Sequence, residues 1–196
     1  MTEASATQRV GLILAGGAGR RVGGQDKGLL RWQGQPLVSY PAMALRPLVD
    51  ELWISCNRNP SQYQPYADRL LQDEEPAETY AGPLAGICAT LPQLADSVQV
   101  LLLSPCDTPG MSPAHWQRFV LQAQANPQRW HYLHSEAGSH YLHAWIPRAY
   151  WPLLLDFYRS GERAMHRLLA QLPEPALTVE MDEQALLNLN QMPTEA

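Results

Sequence analysis

The sequence predicts a layered α/β domain built on a largely parallel sheet, and three observations carry that expectation. Short apolar runs alternate with helix-like stretches, with no internal repeat and no low-complexity segment. The clearest runs are too short for a buried helix and are apolar throughout, as central strands covered on both faces are. The chain also has 196 residues, 45% of them hydrophobic, enough for one compact core.

Each element follows from local signals. Residues 1–8 are polar and are expected to form a disordered N-terminal segment ahead of a single domain spanning 9–196. Val10 to Leu14 (VGLIL) reads as a strand that runs into glycines, and Glu51 to Ser55 (ELWIS) and Val98 to Ser104 (VQVLLLS) read as two more, all three central. Between them, PLVSYPAMALRPL (36–48) and PLAGICATLPQL (83–94) read as helices. Pro41 falls after the first turn of the former and should kink or reset it. In SPAHWQRFVLQAQA (112–125), Ser112 is placed to cap a helix and Pro113 to occupy its first position, where no N–H partner is needed. AYWPLLLDFYRS (149–160) and ERAMHRLLAQL (162–172) follow as helices around Gly161, and the histidine-bearing segments between them and the preceding helix read as strands.

Charge and composition exclude several classes of function. A formal net charge of −5 argues against broad nucleic-acid binding, which needs a basic face to neutralise a phosphate backbone. An anionic ligand must instead meet a local cluster of donors. Cys56, Cys88 and Cys106 are odd in number and include no CxxC pair, so neither a disulfide framework nor a structural zinc site is indicated, and a reducing cytoplasm is the expected setting. No signal-peptide pattern opens the sequence, and charges or prolines interrupt every apolar run before it could span a bilayer, so a soluble protein without membrane partners is expected.

Two segments carry chemistry. LILAGGAGRRVGGQDKG (12–28) is a strand followed by a loop holding Gly16, Gly17, Gly19, Gly23 and Gly24 with Arg20, Arg21 and Lys27. Glycines let consecutive N–H groups turn toward an anion, basic side chains add charge, and the carboxyl ends of strands are where open α/β sheets bind ligands. Spacing excludes two familiar phosphate loops: Lys27 is followed by Gly28 rather than Ser or Thr, and GGAGRR lacks the third glycine of GxGxxG. Lys27 is the single lysine among fourteen basic residues. Its compact ammonium can sit between two phosphates, where arginine's wide fork needs more room. In LLLSPCDTP (101–109), Asp107 follows a strand between Pro105 and Pro109. A carboxylate there suits magnesium, which takes one or two protein carboxylates and completes its shell with waters and phosphate oxygens. Taken singly, the same residues also fit a glycine-rich surface turn and a turn-stabilising aspartate.

As an ordered set, these segments resemble the molybdenum cofactor guanylyltransferase family. LILAGGAGRRVGGQDKGLL is similar to the family's nucleotide loop, YAGPLAGI (80–87) to its second glycine segment and SPCDTP (104–109) to its metal segment; SGERA (160–164) and the terminal NLN (188–190) add to a likeness that covers nearly the whole chain. The resemblance implies a Rossmann-like three-layer nucleotidyltransferase fold. It also implies transfer of GMP from GTP to the terminal phosphate of molybdopterin, with release of pyrophosphate and dependence on magnesium. By the same likeness, Leu14, Ala15, Gly16 and Gly17 are nucleotide contacts, Lys27 and Arg21 are catalytic cations on the triphosphate, and Asp107 is both catalytic and the metal ligand. Ser55, Asn57 and Asp73 are further nucleotide contacts, Gly82 and Gly86 lie near phosphate at a helix start, Arg163 touches the pterin, and Asn188 and Asn190 complete the substrate contacts. GTP and molybdopterin are the implied partners, with apo-molybdoenzymes or their delivery chaperones beyond them. Three positions depart from the family pattern: Ser55 stands where asparagine is common, Tyr141 replaces the proline after His140, and NLNQMP replaces an Asn-x-Asn-Thr-Pro ending.

Other residues carry plainer expectations. His131 and His134 lie three apart, as do His140 and His143, and on strands such pairs project to opposite faces, so neither is expected to chelate a metal. The aromatics of AYWPLLLDFYRS belong to core or interface, since no basic stripe accompanies them. The alternatives to guanylyl transfer are a related CTP- or sugar-phosphate-dependent nucleotidyltransferase and a catalytically silent nucleotide- or molybdopterin-binding carrier.

Overall fold

The apolar runs become the middle of a seven-stranded sheet in the computed structural model, which describes residues 8–16, 26–72 and 82–188. In chain order the elements are β1 (Gln8–Leu14), a hairpin of β2 (Arg31–Trp32) and β3 (Gln35–Pro36), α1 (Ser39–Leu45), β4 (Glu51–Ser55), α2 (Pro60–Tyr63), β5 (Arg69–Leu71), α3 (Pro83–Thr90) and β6 (Val98–Pro105). They continue with α4 (Pro113–Gln124), β7 (His131–Ser135), β8 (Gly138–Pro147), α5 (Trp151–Arg159), α6 (Met165–Leu169), β9 (Leu177–Glu180) and α7 (Glu183–Leu186). The sheet order is β5-β4-β1-β6-β8-β7-β9. β5, β4, β1 and β6 are mutually parallel, β8 runs antiparallel to β6 and β7, and β9 is parallel to β7. The three strands expected to be central lie side by side as β4, β1 and β6.

Strand alternation divides the core into two. Val10 and Leu12 of β1, Trp53 of β4 and Leu101 and Leu103 of β6 point to one face, where α3, α5 and α6 add Leu84, Ile87, Trp151, Leu154, Phe157 and Leu168. Ile13, Leu52, Ile54, Val100 and Leu102 point to the other, which α1 and α4 cover with Ala42, Leu45, Trp116, Phe119 and Val120. Burial of both faces accounts for the uninterrupted apolar runs of the parallel strands. The result is an α/β sandwich of three layers with a mostly parallel sheet, as expected.

Several helices are shorter than the sequence suggests. The helix expected over 36–48 begins only at Ser39, so Pro41 sits in its first turn instead of after it, where its missing N–H costs no hydrogen bond; a 3₁₀ turn over Arg46–Leu48 follows. The helix expected over 162–172 is reduced to Met165–Leu169. Ser112 and Pro113 take their expected places at the start of α4. β1 starts at Gln8 rather than Val10, and the N-terminal segment before it lies outside the described residues. Among the described residues no helix is long and apolar enough to cross a membrane.

Candidate functional site

Register brings the three central strands to a common end. Leu14 pairs with Ser55 on one side and with Pro105 on the other, so β4, β1 and β6 finish level at their carboxyl ends. The chain beyond them stays tied to the sheet: the Ala15 N–H donates to the Ser55 carbonyl at 2.9 Å, and the Cys106 N–H to the Leu14 carbonyl at 3.1 Å. An open cleft of about 230 Å³ lies over these ends. Leu14, Ala15, Gly16, Lys27, Ser55, Gly82, Gly86 and Asp107, all singled out in the sequence, line it.

Lys27 and Asp107 meet across the cleft. Lys27 opens a 3₁₀ turn over Lys27–Leu29, and its Nζ lies 2.5 Å from Oδ2 of Asp107, with the side chains 24% and 20% exposed. A cation and a carboxylate, both lining the cleft, thus meet at its wall. Asp107 fits a divalent cation on the chemistry of its donor atoms: a hard oxygen, open to the cleft, that already holds one positive group in the form of the Lys27 ammonium. Among the described residues no group of three or more His, Cys, Asp or Glu side chains could hold a metal. An ion at Asp107 would accordingly draw its remaining oxygens from a bound phosphate or from water.

The second glycine segment contributes shape. Gly82 caps α3 with φ of +70°, a backbone that glycine adopts without strain, and Gly82 and Pro83 border the cleft at the helix start. Gly86 is required by close approach: a Cβ there would lie 2.6 Å from Oγ of Ser55 and 3.1 Å from Cδ2 of Leu14. Ser55 is only 2% exposed, so packing against α3 is part of its place in the site. Asn57 is not among the lining residues, but its side-chain nitrogen lies 3.5 Å from where a Cβ on Gly16, which is, would be.

Other predicted residues lie elsewhere. Arg163 donates to the carbonyls of Tyr158 and Glu162 at 2.8 and 2.9 Å and stacks over the Tyr158 ring at 3.9 Å, away from the cleft lining. Asn188 is not among the lining residues either. Gly17, Arg21, Asp73 and Asn190 lie outside the described residues.

The strand carrying His140 and His143 corrects a sequence expectation. Both histidine segments are strands, but register shifts between Tyr132, which pairs with Ala144, and Leu133, which pairs with His140. Residues 141–143 therefore bulge out of the ladder, and the alternation that would put His140 and His143 on opposite faces is lost. Their ring centroids are 6.1 Å apart. Each Nε2 has its own partner, Oγ of Ser135 for His140 at 3.0 Å and Oγ1 of Thr108 for His143 at 2.8 Å. Burial drives the His143 pKa down to about 3, with nearby His140 acting in the same direction, so the imidazole is neutral. The bulge also delivers Leu142 to the cleft. SHYLHAW has no period that would have revealed either effect.

Cys106, Pro105 and Pro83 are the other lining residues the sequence reading passed over. Burial pushes the Cys106 thiol up to about 12, so it contributes neutral bulk next to Asp107. Behind the Lys27 turn, the Tyr63 hydroxyl donates to Oδ1 of Asp26. Burial first, and the Asp26 carboxylate second, hold that phenol well above its ordinary pKa, so it remains a donor.

Comparison with known proteins gives the family and the fold. Residues 11–176 match the family described as MobA-like NTP transferase domain. A molybdenum cofactor guanylyltransferase of Pseudomonas fluorescens is 41% identical over 179 residues, covering 91% of this chain and 88% of that protein. Among solved structures, the molybdopterin-guanine dinucleotide biosynthesis protein A of Archaeoglobus fulgidus aligns with a TM-score of 0.70 at 17% identity, over 93% of this chain and 92% of that one. A manganese complex of a Mycobacterium tuberculosis protein aligns with a TM-score of 0.67 at 18% identity, over 90% and 89%. At these identities, the two structures show the shared fold.

Proposed function

The chain belongs to the molybdenum cofactor guanylyltransferases, within the MobA-like NTP transferase domain family, and from that premise we propose that it transfers GMP from GTP to the terminal phosphate of molybdopterin. The observation that carries the reading is the meeting of Lys27 and Asp107 at the common end of β1 and β6, in a cleft floored by Leu14, Ala15 and Gly16. A lysine alone would suit many anions, and an aspartate alone many turns. A cation and a metal-competent carboxylate on either side of a glycine-bordered cleft suit a nucleoside triphosphate with its divalent ion.

In the proposed reaction, an oxygen of the molybdopterin phosphate forms a bond to the α-phosphorus of GTP. The bond from that phosphorus to the bridging oxygen breaks, and the electron pair leaves on pyrophosphate. The nucleophile is already ionised, so the chain need supply no general base, and no bond to the protein forms. The protein's work is to align two polyanions and offset their charge. Lys27 holds the phosphates, Ala15 and Gly16 bring backbone close to the nucleotide, and Asp107 would hold magnesium or a similar divalent ion. When bound, that ion supplies positive charge to the triphosphate oxygens. We place the reaction in the cytoplasm, in keeping with three buried cysteines that form no disulfide, and expect the product to pass to apo-molybdoenzymes or their delivery chaperones.

The test is reconstitution with molybdopterin and GTP, CTP or UTP, reading the dinucleotide by mass spectrometry and pyrophosphate by a coupled assay. Guanine dinucleotide formed with GTP, abolished by chelation and restored by magnesium, is the expected result. Preference for CTP would make the protein a cytidylyltransferase, and binding without pyrophosphate release would make it a carrier.

A further inference from the structure

The residue immediately before Lys27 is a carboxylate, and a phosphate-binding turn gains nothing from negative charge aimed at its ligand. Asp26 is aimed elsewhere. Its Oδ1 accepts the Tyr63 hydroxyl and its Oδ2 accepts the Asn59 side-chain amide, the latter at 3.2 Å, and it is absent from the cleft lining. Tyr63 is fully buried, at 0% exposure, and also fills the space beside Gly28. A Cβ on Gly28 would lie 2.5 Å from the phenol oxygen and 3.0 Å from Cε1. The residue before Lys27 and the residue after it are thus held by the same phenol. Backbone bonds close the turn: the Leu29 N–H donates to the Asp26 carbonyl at 3.0 Å, the Leu30 N–H to the Lys27 carbonyl at 3.2 Å, and the Val38 N–H to the Gly28 carbonyl at 3.0 Å. Asn59 enters α2 with left-handed φ of 49°, a conformation asparagine tolerates better than most side chains.

We propose that Tyr63, assisted by Asn59, is a positioning residue for nucleotide binding: through Asp26 and Gly28 it fixes the turn from which Lys27 reaches the phosphates. The inference rests on the assignment of Lys27 to the triphosphate made above. Tyr63 itself touches no substrate. Its contribution is to keep a long, flexible side chain rooted at one point, so that little ordering is left to the moment of binding.

Because Lys27 is the only lysine, protein labelled with ¹³C at lysine Cε gives one lysine resonance, which reports on this side chain alone. Tyr63→Phe keeps the ring and removes the donor. It should raise KM for GTP about tenfold while changing kcat less than about threefold, and move the lysine resonance toward the position of a mobile side chain. A role in folding alone would lower the melting temperature without altering KM or the lysine signal of the folded protein. Asn59→Gly keeps the left-handed backbone, removes only the amide donor, and should move both readouts in the same direction by less. Wild-type KM with an unmoved lysine signal in Tyr63→Phe overturns the proposal; should that variant fail to fold, the same result in Asn59→Gly does so. Lys27→Ala separates the two claims. If it binds and turns over GTP like wild type, the triphosphate assignment falls; if it is crippled while folded Tyr63→Phe is normal, only the positioning role falls.

Discussion

Lys27 and Asp107 are 80 residues apart in the chain, and their charged atoms are 2.5 Å apart in the fold. A partly exposed ion pair of this kind contributes little to stability. Under the proposed function, each partner stands where a ligand would bring its own counter-charge. Asp107→Asn keeps the shape and removes the charge. The variant should melt close to wild type yet lose magnesium-dependent turnover, on the order of a hundredfold in kcat/KM, because the charge that would hold the metal is gone. Near-normal turnover at low magnesium would contradict the metal assignment. Lys27→Arg tests geometry instead of charge, because in the proposed complex a planar guanidinium is too wide for the place of an ammonium set between Asp107 and a phosphate. Transfer should fall in Lys27→Arg and fall further in Lys27→Ala, in steady-state kinetics on proteins with matched thermal melts. An arginine variant equal to wild type in kcat and KM would leave Lys27 an ordinary basic residue.

Two elements show local chemistry acting away from the site in one case and on it in the other. α4 begins with a reciprocal cap in which Oγ of Ser112 accepts the His115 N–H at 3.4 Å and Nδ1 of His115 accepts the Ser112 N–H at 3.2 Å, a histidine taking the part usually played by Glu or Gln. Ser112→Ala should cost about 1 kcal/mol of stability, seen in urea or thermal melts. KM should not move, since α4 packs through Trp116, Phe119 and Val120 against the sheet face and lines no part of the cleft. β8 works in the opposite way. Its bulge gives up ladder pairing over residues 141–143 and in return delivers Leu142 to the cleft and the His143 imidazole to Thr108, next to Asp107.

At the scale of the molecule, histidines lowered by burial make the fold weaker in acid. His143 falls from the usual 6.5 to about 3 on folding, chiefly through burial, and His131 and His140 are lowered for the same first reason. A depressed histidine pKa means that the unfolded chain binds more protons below pH 6.5. Stability is therefore full above 6.5 and is lost as pH falls toward 3, at up to about 1.4 kcal/mol per pH unit for His143 alone. Asp68 adds a second loss at lower pH. Its carboxyl is held below the usual 3.8 by the Leu52 N–H and Arg46, which outweigh the opposing effect of burial, so its contribution disappears as pH drops through that range. Urea melts should show the protein weaker at pH 5 than at pH 7 by about 1–2 kcal/mol, and His143→Gln should flatten that slope. An unchanged slope in the variant would mean that His143 does not govern it.

The sequence by itself determined the strands β1, β4 and β6, the cap of α4 and the identity of the chemical groups, because each rests on local properties: apolar runs, a Ser-Pro start, a glycine loop with one lysine, an aspartate between prolines. It could not determine that Lys27 lies on Asp107, since that contact depends on β1 being seated between β4 and β6 with Leu14 in register with both Ser55 and Pro105. Nor could it show Tyr63 behind the Lys27 turn, because a tyrosine in a four-residue helix has no period to interpret and its partner lies 37 residues away. The same limit hid the bulge in β8, where sequence spacing promised opposite faces and pairing with β7 overrode it. Propensity and pattern act over a few residues, whereas the site is made by sheet order and register, and these are fixed only when both faces of the sheet are buried at once.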